Sequence, residues 1–368
     1  MPKPLKYLYS EDYLQTLAAA LQKVVPKVES ATFLKAVFTP EWDTLELKER
    51  MYHIRSILAQ YLDADFAKAA PQLLALTEAL RKGPLAQASL EGMYLPDYIE
   101  KHGLAYPKLA AQLFEQITSY TSCEFAVRPF ILQDQEGMLA QMLEWTQHES
   151  EHVRRLASEG SRPRLPWAMA LPPLKKDPRP LLPILTKLKE DASEYVRRSV
   201  ANNFNDIAKD HPDVVLQTFS AWNHQSALTD RIIKHGSRTL LKQGHPEALA
   251  LFGYSALDEL EVSAFALSTK VVQVGEYLPY EFILQNKANK PALIRLECGV
   301  YYLKANGQHN RKVFKIAERE MKADTTEHIE RQQHFKPIST RKYYPGPHAL
   351  AIILNGVEVA KLEFDLLT

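Results

Sequence analysis

The chain has 368 residues, 46% hydrophobic and 24% charged, which suits two or three domains with sizeable cores and excludes disorder as the main state. Its 2 cysteines, Cys123 and Cys298, exclude a disulfide framework and a cysteine-built zinc site, and they indicate a reducing, cytosolic compartment. A net charge of +1 excludes an overall basic nucleic-acid binder, so a polyanionic partner requires a local basic surface. Residues 1–10 have no apolar signal core, and no apolar run reaches the roughly 18–20 residues of a membrane span, so we expect a cytoplasmic protein that has no membrane partner.

The pattern of apolar residues changes near residue 258. Before it, apolar side chains recur every three or four residues, which predicts amphipathic helices over residues 12–25, 45–62 and 66–80. After it, short β-rich runs cover residues 262–274, 277–284, 292–303 and 349–359, with hairpin signals at Asn306-Gly307 and Asn355-Gly356. We therefore predict a mainly α protein with a β domain: a helical domain over residues 1–257 and a β-sandwich over residues 258–368.

The helical part contains an internal repeat. The sequence HVRR at residues 152–155 is echoed 43 residues later by YVRR at 195–198, and a looser copy, IIKH, follows at 232–235. Periods of about 37–47 residues are typical of HEAT-like solenoids, in which stacked helix pairs form a concave surface. If these helices line the concave surface, the repeated basic residues form a basic stripe there; its members are Arg154, Arg155, Arg197, Arg198, Lys234 and Arg238. The alternative is that some of them pair with carboxylates between adjacent repeats.

A proline-dense link separates the first two copies of the repeat. Seven prolines lie within residues 163–183, so this link cannot be one regular helix, and it exposes Trp167 between non-helical neighbours. The sequence has no glycine-rich phosphate loop, no HExxH motif and no paired CxxC motif. His148 and His152 have the spacing of two metal ligands on a helix, but we favour a solvated polar face and predict neither a metal nor another cofactor.

Three carboxylates could carry chemistry. Glu159 and Asp206 end predicted helices, where a negative charge opposes the helix dipole, and Glu159 precedes Gly160 at a capping position. Ser199, Asn203 and Asp206 share one helix face by their spacing. Glu124 follows Cys123 ahead of an apolar run. From the spacing alone, surface solvation and salt bridging remain the simpler interpretation of all three carboxylates.

Four motifs together are distinctive: HVRRLASEG at 152–160, RLPW at 164–167, YVRRSVANNFND at 195–206 and KQGHPEA at 242–248. With these motifs the sequence resembles the AlkC branch of the DNA alkylation repair glycosylases. The resemblance covers nearly the whole chain, including the immunoglobulin-like C-terminal domain that marks one subgroup, and it implies that the basic stripe binds DNA phosphates.

The resemblance implies a HEAT-like solenoid that cradles double-stranded DNA and releases cationic alkylated bases without flipping them: 3-methyladenine, 3-methylcytosine and, as a further candidate, 1-methyladenine. It maps the catalytic residues onto Glu124, Glu159, Asp206 and Trp167, with Glu124 carried by the least distinctive motif. A cationic base leaves as a neutral molecule, so the carboxylates need only stabilise an oxocarbenium-like sugar and activate water. We expect a monomer. The alternatives are a HEAT-repeat scaffold without catalysis and a DNA-binding paralogue that has lost excision.

Overall fold

The structure, a computed structural model, describes residues 4–85, 90–254, 257–338 and 341–367. In these residues, α-helices are followed by β-strands. The helices are α1 Glu11–Val24, α2 Ser30–Val37, α3 Leu47–Tyr61, α4 Phe66–Arg81, α5 Tyr94–His102, α6 Pro107–Ile117, α7 Arg128–Gln133, α8 Gln135–Trp145, α9 Glu151–Glu159, α10 Pro172–Lys176, α11 Leu182–Leu188, α12 Glu194–Ile207, α13 Pro212–Trp222, α14 Ala227–Gly236, α15 Arg238–Gln243 and α16 Pro246–Leu251. The strands are β1 Leu260–Leu267, β2 Val271–Gln273, β3 Tyr277–Asn286, β4 Ala292–Leu303, β5 His309–Met321, β6 Thr325–His334, β7 Gly346–Leu354 and β8 Val357–Leu367.

The described residues form two compact units. One comprises the chain up to Val215 together with Ala221–Gly236, and the other comprises Leu216–Ser220 and the chain from Ser237 onward. The predicted domain boundary at residue 257 stays a prediction, although the change from helix to strand does fall between Leu251 and Leu260. In the described part of the chain, no helix is both long and apolar enough to cross a membrane.

The first unit is a stack of helix pairs. Its first helix shows why the sequence folds this way: the Ser10 hydroxyl accepts a hydrogen bond from the Tyr13 amide at 3.2 Å, and the leucine stripe Leu14, Leu17 and Leu21 is fully buried. Further along, α9 packs on α12 and α12 packs on α14, so the three helices that carry the repeated basic residues are neighbours. This succession of stacked helices confirms the predicted HEAT-like solenoid.

The strands form two sheets of an immunoglobulin-like sandwich. One sheet has the order β1-β3-β6, and the other has the order β2-β8-β7-β4-β5, in which β2 runs parallel to β8. Alternate residues of β3, Leu278, Tyr280, Phe282 and Leu284, enter a core shared with β4, β7 and β8. The continuous run predicted over residues 262–274 is instead two strands, β1 and β2, which belong to different sheets.

Both predicted hairpins are present. Asn355 and Gly356 join β7 to β8 with φ values of 44° and 78°, the two positive values that a two-residue type I′ turn requires. Gly307, with φ 75°, lies in the turn between β4 and β5. Cys298 is a buried free thiol in β4.

Candidate active site

The proline-dense link places Trp167 in an unusual backbone conformation. Residues 160–171 have no regular helix, whereas Pro172 begins the short helix α10, a position where its missing amide hydrogen costs nothing. Trp167 has φ 66°, in the left-handed region that non-glycine residues seldom adopt, and 58% of it is exposed. A strained backbone that presents a large aromatic ring to solvent is typical of a functional position.

The three predicted carboxylates lie on neighbouring elements. Glu124 precedes α7, Glu159 is the last residue of α9, and Asp206 lies in the last turn of α12. Helices α9 and α12 are held in register by polar contacts: Asn203 Nδ2 donates to Ser158 O at 2.9 Å, and Ser199 Oγ donates to Ser158 Oγ at 3.0 Å. Ser199, Asn203 and Asp206 therefore share the face of α12 that packs on α9, as their spacing predicts.

Gly160 caps α9 for a reason that the sequence does not reveal. Its φ of −64° is an ordinary helical value, so no left-handed turn requires glycine here. A Cβ atom at this position would lie 2.6 Å from Val127 Cγ1 and 2.9 Å from Leu156 O. Glycine thus permits the end of α9, with Glu159, to approach the segment that carries Glu124.

Two arginines link the carboxylates into one network. Arg155 Nη1 lies 2.7 Å from Glu124 Oε2, and Arg155 Nη2 lies 3.7 Å from Glu159 Oε1. Arg162 Nη1 lies 2.6 Å from Glu159 Oε1, and Arg162 Nε lies 2.8 Å from Asp206 Oδ2. We call Glu124, Glu159, Asp206, Arg155 and Arg162 the carboxylate–arginine cluster. The structure thus brings the three predicted carboxylates together rather than dispersing them.

The cluster is largely withdrawn from solvent. The side chains of Glu124, Glu159 and Asp206 are 17%, 6% and 2% exposed. Burial lowers the pKa of Arg155 and of Arg162, but the adjoining carboxylates outweigh it, so both pKa values are raised and both guanidinium groups stay charged. Fixed charge pairs in a water-poor site provide the preorganised environment that can stabilise a developing positive charge.

Trp167 is tied to the segment that carries Glu124 through Lys48. Lys48 Nζ donates a hydrogen bond to the Trp167 carbonyl and lies 5.1 Å from the centre of the Phe125 ring. The indole lines an open groove of about 500 Å³, together with side chains from residues 5–6 and 46–48. An exposed indole face in this position can attract a cationic group on a ligand.

A cavity opens beside Glu124. It has a volume of about 270 Å³, and Glu124, Phe125, Arg155 and Tyr195 are among the residues that line it. The Arg155 guanidinium lies 4.5 Å from the centre of the Tyr195 ring, so this wall is both aromatic and charged. His152 packs edge-on against Tyr195, whereas His148 lies outside α9, so the two histidines do not form the helical pair that their spacing suggests.

Two of the predicted phosphate ligands hold the repeat together. Arg154 forms a bidentate pair with Asp191, at 2.6 and 3.0 Å, and donates to the carbonyls of His148 and Glu149. Arg197 donates to the carbonyls of Asp191 and Ala192, which stand 43 residues after those two. The equivalent arginines of successive repeats therefore secure equivalent loops. Their role in binding phosphate stays a prediction.

The remaining basic residues differ in their exposure. Arg198 is exposed beside a cavity of about 200 Å³ between α12 and α14, which Arg231 and His235 also line. Lys234 is exposed in the last turn of α14, not at the start of a helix as Arg154 and Arg197 are. Arg238 begins α15 and belongs to the other unit.

Comparison with known proteins gives matches over the whole chain. A family model described as the C-terminal immunoglobulin-like domain of the uncharacterised protein YhaZ matches residues 261–368. The uncharacterised protein YhaZ of Bacillus subtilis (strain 168) is 42% identical over 362 residues, which cover 98% of this chain and 99% of that protein. The structure of the Pseudomonas fluorescens alkylpurine DNA glycosylase AlkC, bound to DNA containing an abasic site analogue, is 35% identical, covers 100% of both chains and has a TM-score of 0.92.

Proposed function

This chain belongs to the AlkC family, and we propose that it is a DNA glycosylase that hydrolyses the N-glycosidic bond of cationic alkylated bases in duplex DNA. The observation that carries the proposal is the meeting of Glu124, Glu159 and Asp206 in one buried cluster. A HEAT-repeat scaffold has no need to gather three carboxylates from three separate elements around two arginines. The AlkC of Pseudomonas fluorescens is named as an alkylpurine DNA glycosylase, which supports the same activity for this chain.

The proposed substrates follow from the charge of the site. A 3-methyladenine or 3-methylcytosine nucleotide carries a positive charge that passes to the sugar as the base departs, and 1-methyladenine is a further candidate. The departing base is neutral, so no residue must protonate it. Carboxylates beside C1′ stabilise the oxocarbenium-like sugar where its charge develops. The reaction therefore resembles glycoside hydrolysis without the general acid.

Each side chain has a proposed role. Asp206 or Glu159 positions and activates the water that attacks C1′, and Glu124 with Trp167 completes a negative, aromatic surface. Arg162 holds Asp206 from one side while Lys209 Nζ, 2.9 Å from Asp206 Oδ1, holds it from the other. The carboxylate is thus fixed in orientation before substrate binds, which is the condition for electrostatic catalysis.

We also propose that the lesion is attacked without being flipped into an enclosed pocket. Trp167 supports this, because its 58% exposure places the ring at a surface and not in the wall of a closed cavity. Exposed Arg198 and Lys234, with the other members of the predicted stripe, are the proposed phosphate ligands. The proposed enzyme is a monomer of the bacterial cytoplasm and uses neither metal nor cofactor.

Replacing each carboxylate by its amide tests the proposed roles. We expect Glu124→Gln, Glu159→Gln and Asp206→Asn to slow single-turnover excision from methylated duplex DNA, with roughly 10²–10⁴-fold loss for the residue that activates water. Glu297→Gln is the matched control: Glu297 is a buried carboxylate that pairs with Arg295 at 2.6 Å, and it belongs to the other unit. Unchanged excision in all three cluster variants would remove the catalytic assignment.

A further inference from the structure

A buried arginine that belongs to neither the cluster nor the predicted stripe contacts residues 160–169, the segment that leads from α9 into the proline-dense link. Arg128, the first residue of α7, is 0% exposed. Its Nε donates to Met169 O at 2.7 Å, and its Nη1 donates to Gly160 O at 2.9 Å and to Arg162 O at 2.8 Å. One planar guanidinium therefore fixes both ends of residues 160–169 and a point between them.

Arg128 is an unusual choice for a residue that serves stability alone. Among the described residues it has no ion-pair partner, and its Nη2 is buried without a hydrogen-bond acceptor. Burial lowers its pKa to about 10, with a further lowering by Arg162, against the opposing effect of the cluster carboxylates, so it stays charged at neutral pH. Keeping a charge out of water without an ion-pair partner is costly, and here only hydrogen bonds to three backbone carbonyls offset that cost.

The segment that Arg128 fixes carries two site residues. Arg162 pairs with Glu159 and Asp206, and Trp167 supplies the exposed indole. In the described part of the chain the indole makes no ring–ring contact and no side-chain hydrogen bond, and 58% of Trp167 is exposed, so few contacts of the ring itself fix its position. Its position depends on the backbone, which is held at residues 160, 162 and 169 by Arg128 and at residue 167 by Lys48.

We propose that Arg128 is a positioning residue that sets the placement of Trp167 relative to the carboxylate–arginine cluster by bonding the backbone of residues 160–169. The inference rests on the proposed glycosylase function. Arg128 touches backbone carbonyls and not the reacting atoms, so it acts through the segment. A lysine at this position has one nitrogen in place of a planar fork and cannot reproduce three separated hydrogen bonds.

The test measures catalysis and the position of the indole separately. We expect Arg128→Lys to slow single-turnover excision at saturating DNA roughly 2- to 30-fold, no more than loss of the Trp167 ring itself would, with an unchanged Kd for duplex DNA, because the substitution acts only through the position of that ring. Iodide quenching of fluorescence reports on Trp167, since it is 58% exposed while Trp42, Trp145 and Trp222 are 6%, 2% and 5% exposed. We expect Arg128→Lys to change this quenching, and the change to vanish when Trp167→Phe is added.

Two controls separate positioning from folding. Arg295→Lys alters another buried arginine, which pairs with Glu297 in β4 of the other unit, and it should retain excision. Arg128→Ala leaves a space the size of a guanidinium, so millimolar methylguanidinium should restore excision where the same concentration of methylammonium does not.

The outcomes distinguish this inference from the proposed function. A lower Tm for Arg128→Lys with unchanged excision and unchanged quenching would overturn the positioning role. Lost excision with unchanged quenching would overturn it as well. If the unmodified protein excises nothing but Arg128→Lys still shifts the quenching of Trp167, the glycosylase proposal fails while the structural part of the inference stands.

Discussion

Trp167 has an exposed side chain on a strained backbone, so replacing the side chain can change the excision rate with little effect on stability. If its ring attracts the cationic base or sugar, Trp167→Ala should lower the excision rate roughly 2- to 30-fold, the equivalent of about 0.5–2 kcal/mol of cation–π attraction. The Tm should change little, because the ring is 58% exposed and the substitution removes little packing. Single-turnover rates and thermal unfolding of the same preparation check this. An unchanged rate on 3-methyladenine would remove Trp167 from the mechanism.

At the same scale, the sequence predicts the acidic residues of the site better than the basic ones. Glu159, Asp206 and Trp167 lie in motifs that the family resemblance identifies, and the structure places the carboxylates in one cluster. Arg162 is visible in the sequence only as a neighbour of Trp167, although its spacing three residues after Glu159 permits the observed pair. Arg128 leaves no signal, because its partners are backbone carbonyls up to 41 residues away, and any residue can supply a carbonyl.

At the scale of helices, the repeated arginines take three positions, of which Arg155 occupies the one in the carboxylate–arginine cluster. Arg154 and Arg197 point to the loops between repeats, whereas Arg198 is exposed beside a cavity that Arg231 also lines. We therefore expect Arg198→Ala to lower the salt dependence of DNA binding by about one unit of slope with an unchanged Tm. Arg154→Ala should instead destabilise the protein by roughly 1.5–3 kcal/mol, the range for charge-assisted hydrogen bonds.

Duplex affinity measured over a series of salt concentrations, together with urea unfolding, tests this division. An unchanged slope for Arg198→Ala would assign Arg198 to structure. A lowered slope for Arg154→Ala would show that Arg154 reaches phosphate despite its pair with Asp191.

At the scale of strands, the two Asn-Gly hairpins offer a matched pair of substitutions. Gly307 and Gly356 have nearly equal φ values of 75° and 78°. A Cβ on Gly307 meets nothing within 4 Å, whereas one on Gly356 would lie 2.2 Å from Gly244 Cα. Gly307→Ala should cost about 1–2 kcal/mol for the left-handed backbone alone.

Gly356→Ala should cost more than Gly307→Ala, because the contact with Gly244 adds to the backbone penalty. The free energy of unfolding in urea measures the difference. Equal costs for the two substitutions would show that the turn moves away from Gly244 without penalty.

The sequence predicts the central strands and not the charged ones. Residues 277–284 and 292–303 are apolar enough to be recognised, and they lie in β3 and β4. The strands β5 and β6 are edge strands whose exposed positions carry charged side chains. Their sequences therefore lack the apolar runs by which the other strands are predicted. The separation of β1 from β2 also escapes prediction, since it depends on which sheet each strand joins.

For the whole molecule, the charge balance limits how DNA can be held. With 45 basic and 44 acidic residues, the chain has no long-range attraction for a polyanion. An excess of basic residues exists only locally: residues 151–206 contain 11 basic and 7 acidic residues. Part of that excess is offset by carboxylates outside this range, because Arg155 pairs with Glu124 and Arg164 pairs with Asp210. If duplex binding depends on the few exposed cations of this region, the slope of its salt dependence should be small, about 0.9 unit for each phosphate contact.

Chromatography of the free bases released from methylated duplex DNA tests the proposed activity most directly. We expect the unmodified protein to release 3-methyladenine and Asp206→Asn to release little or none. Release that survives Asp206→Asn would retain the enzyme but move the activation of water to Glu159 or Glu124. No release by the unmodified protein would contradict the glycosylase proposal. Intact duplex binding would then identify a DNA-binding paralogue, and absence of binding would identify a scaffold.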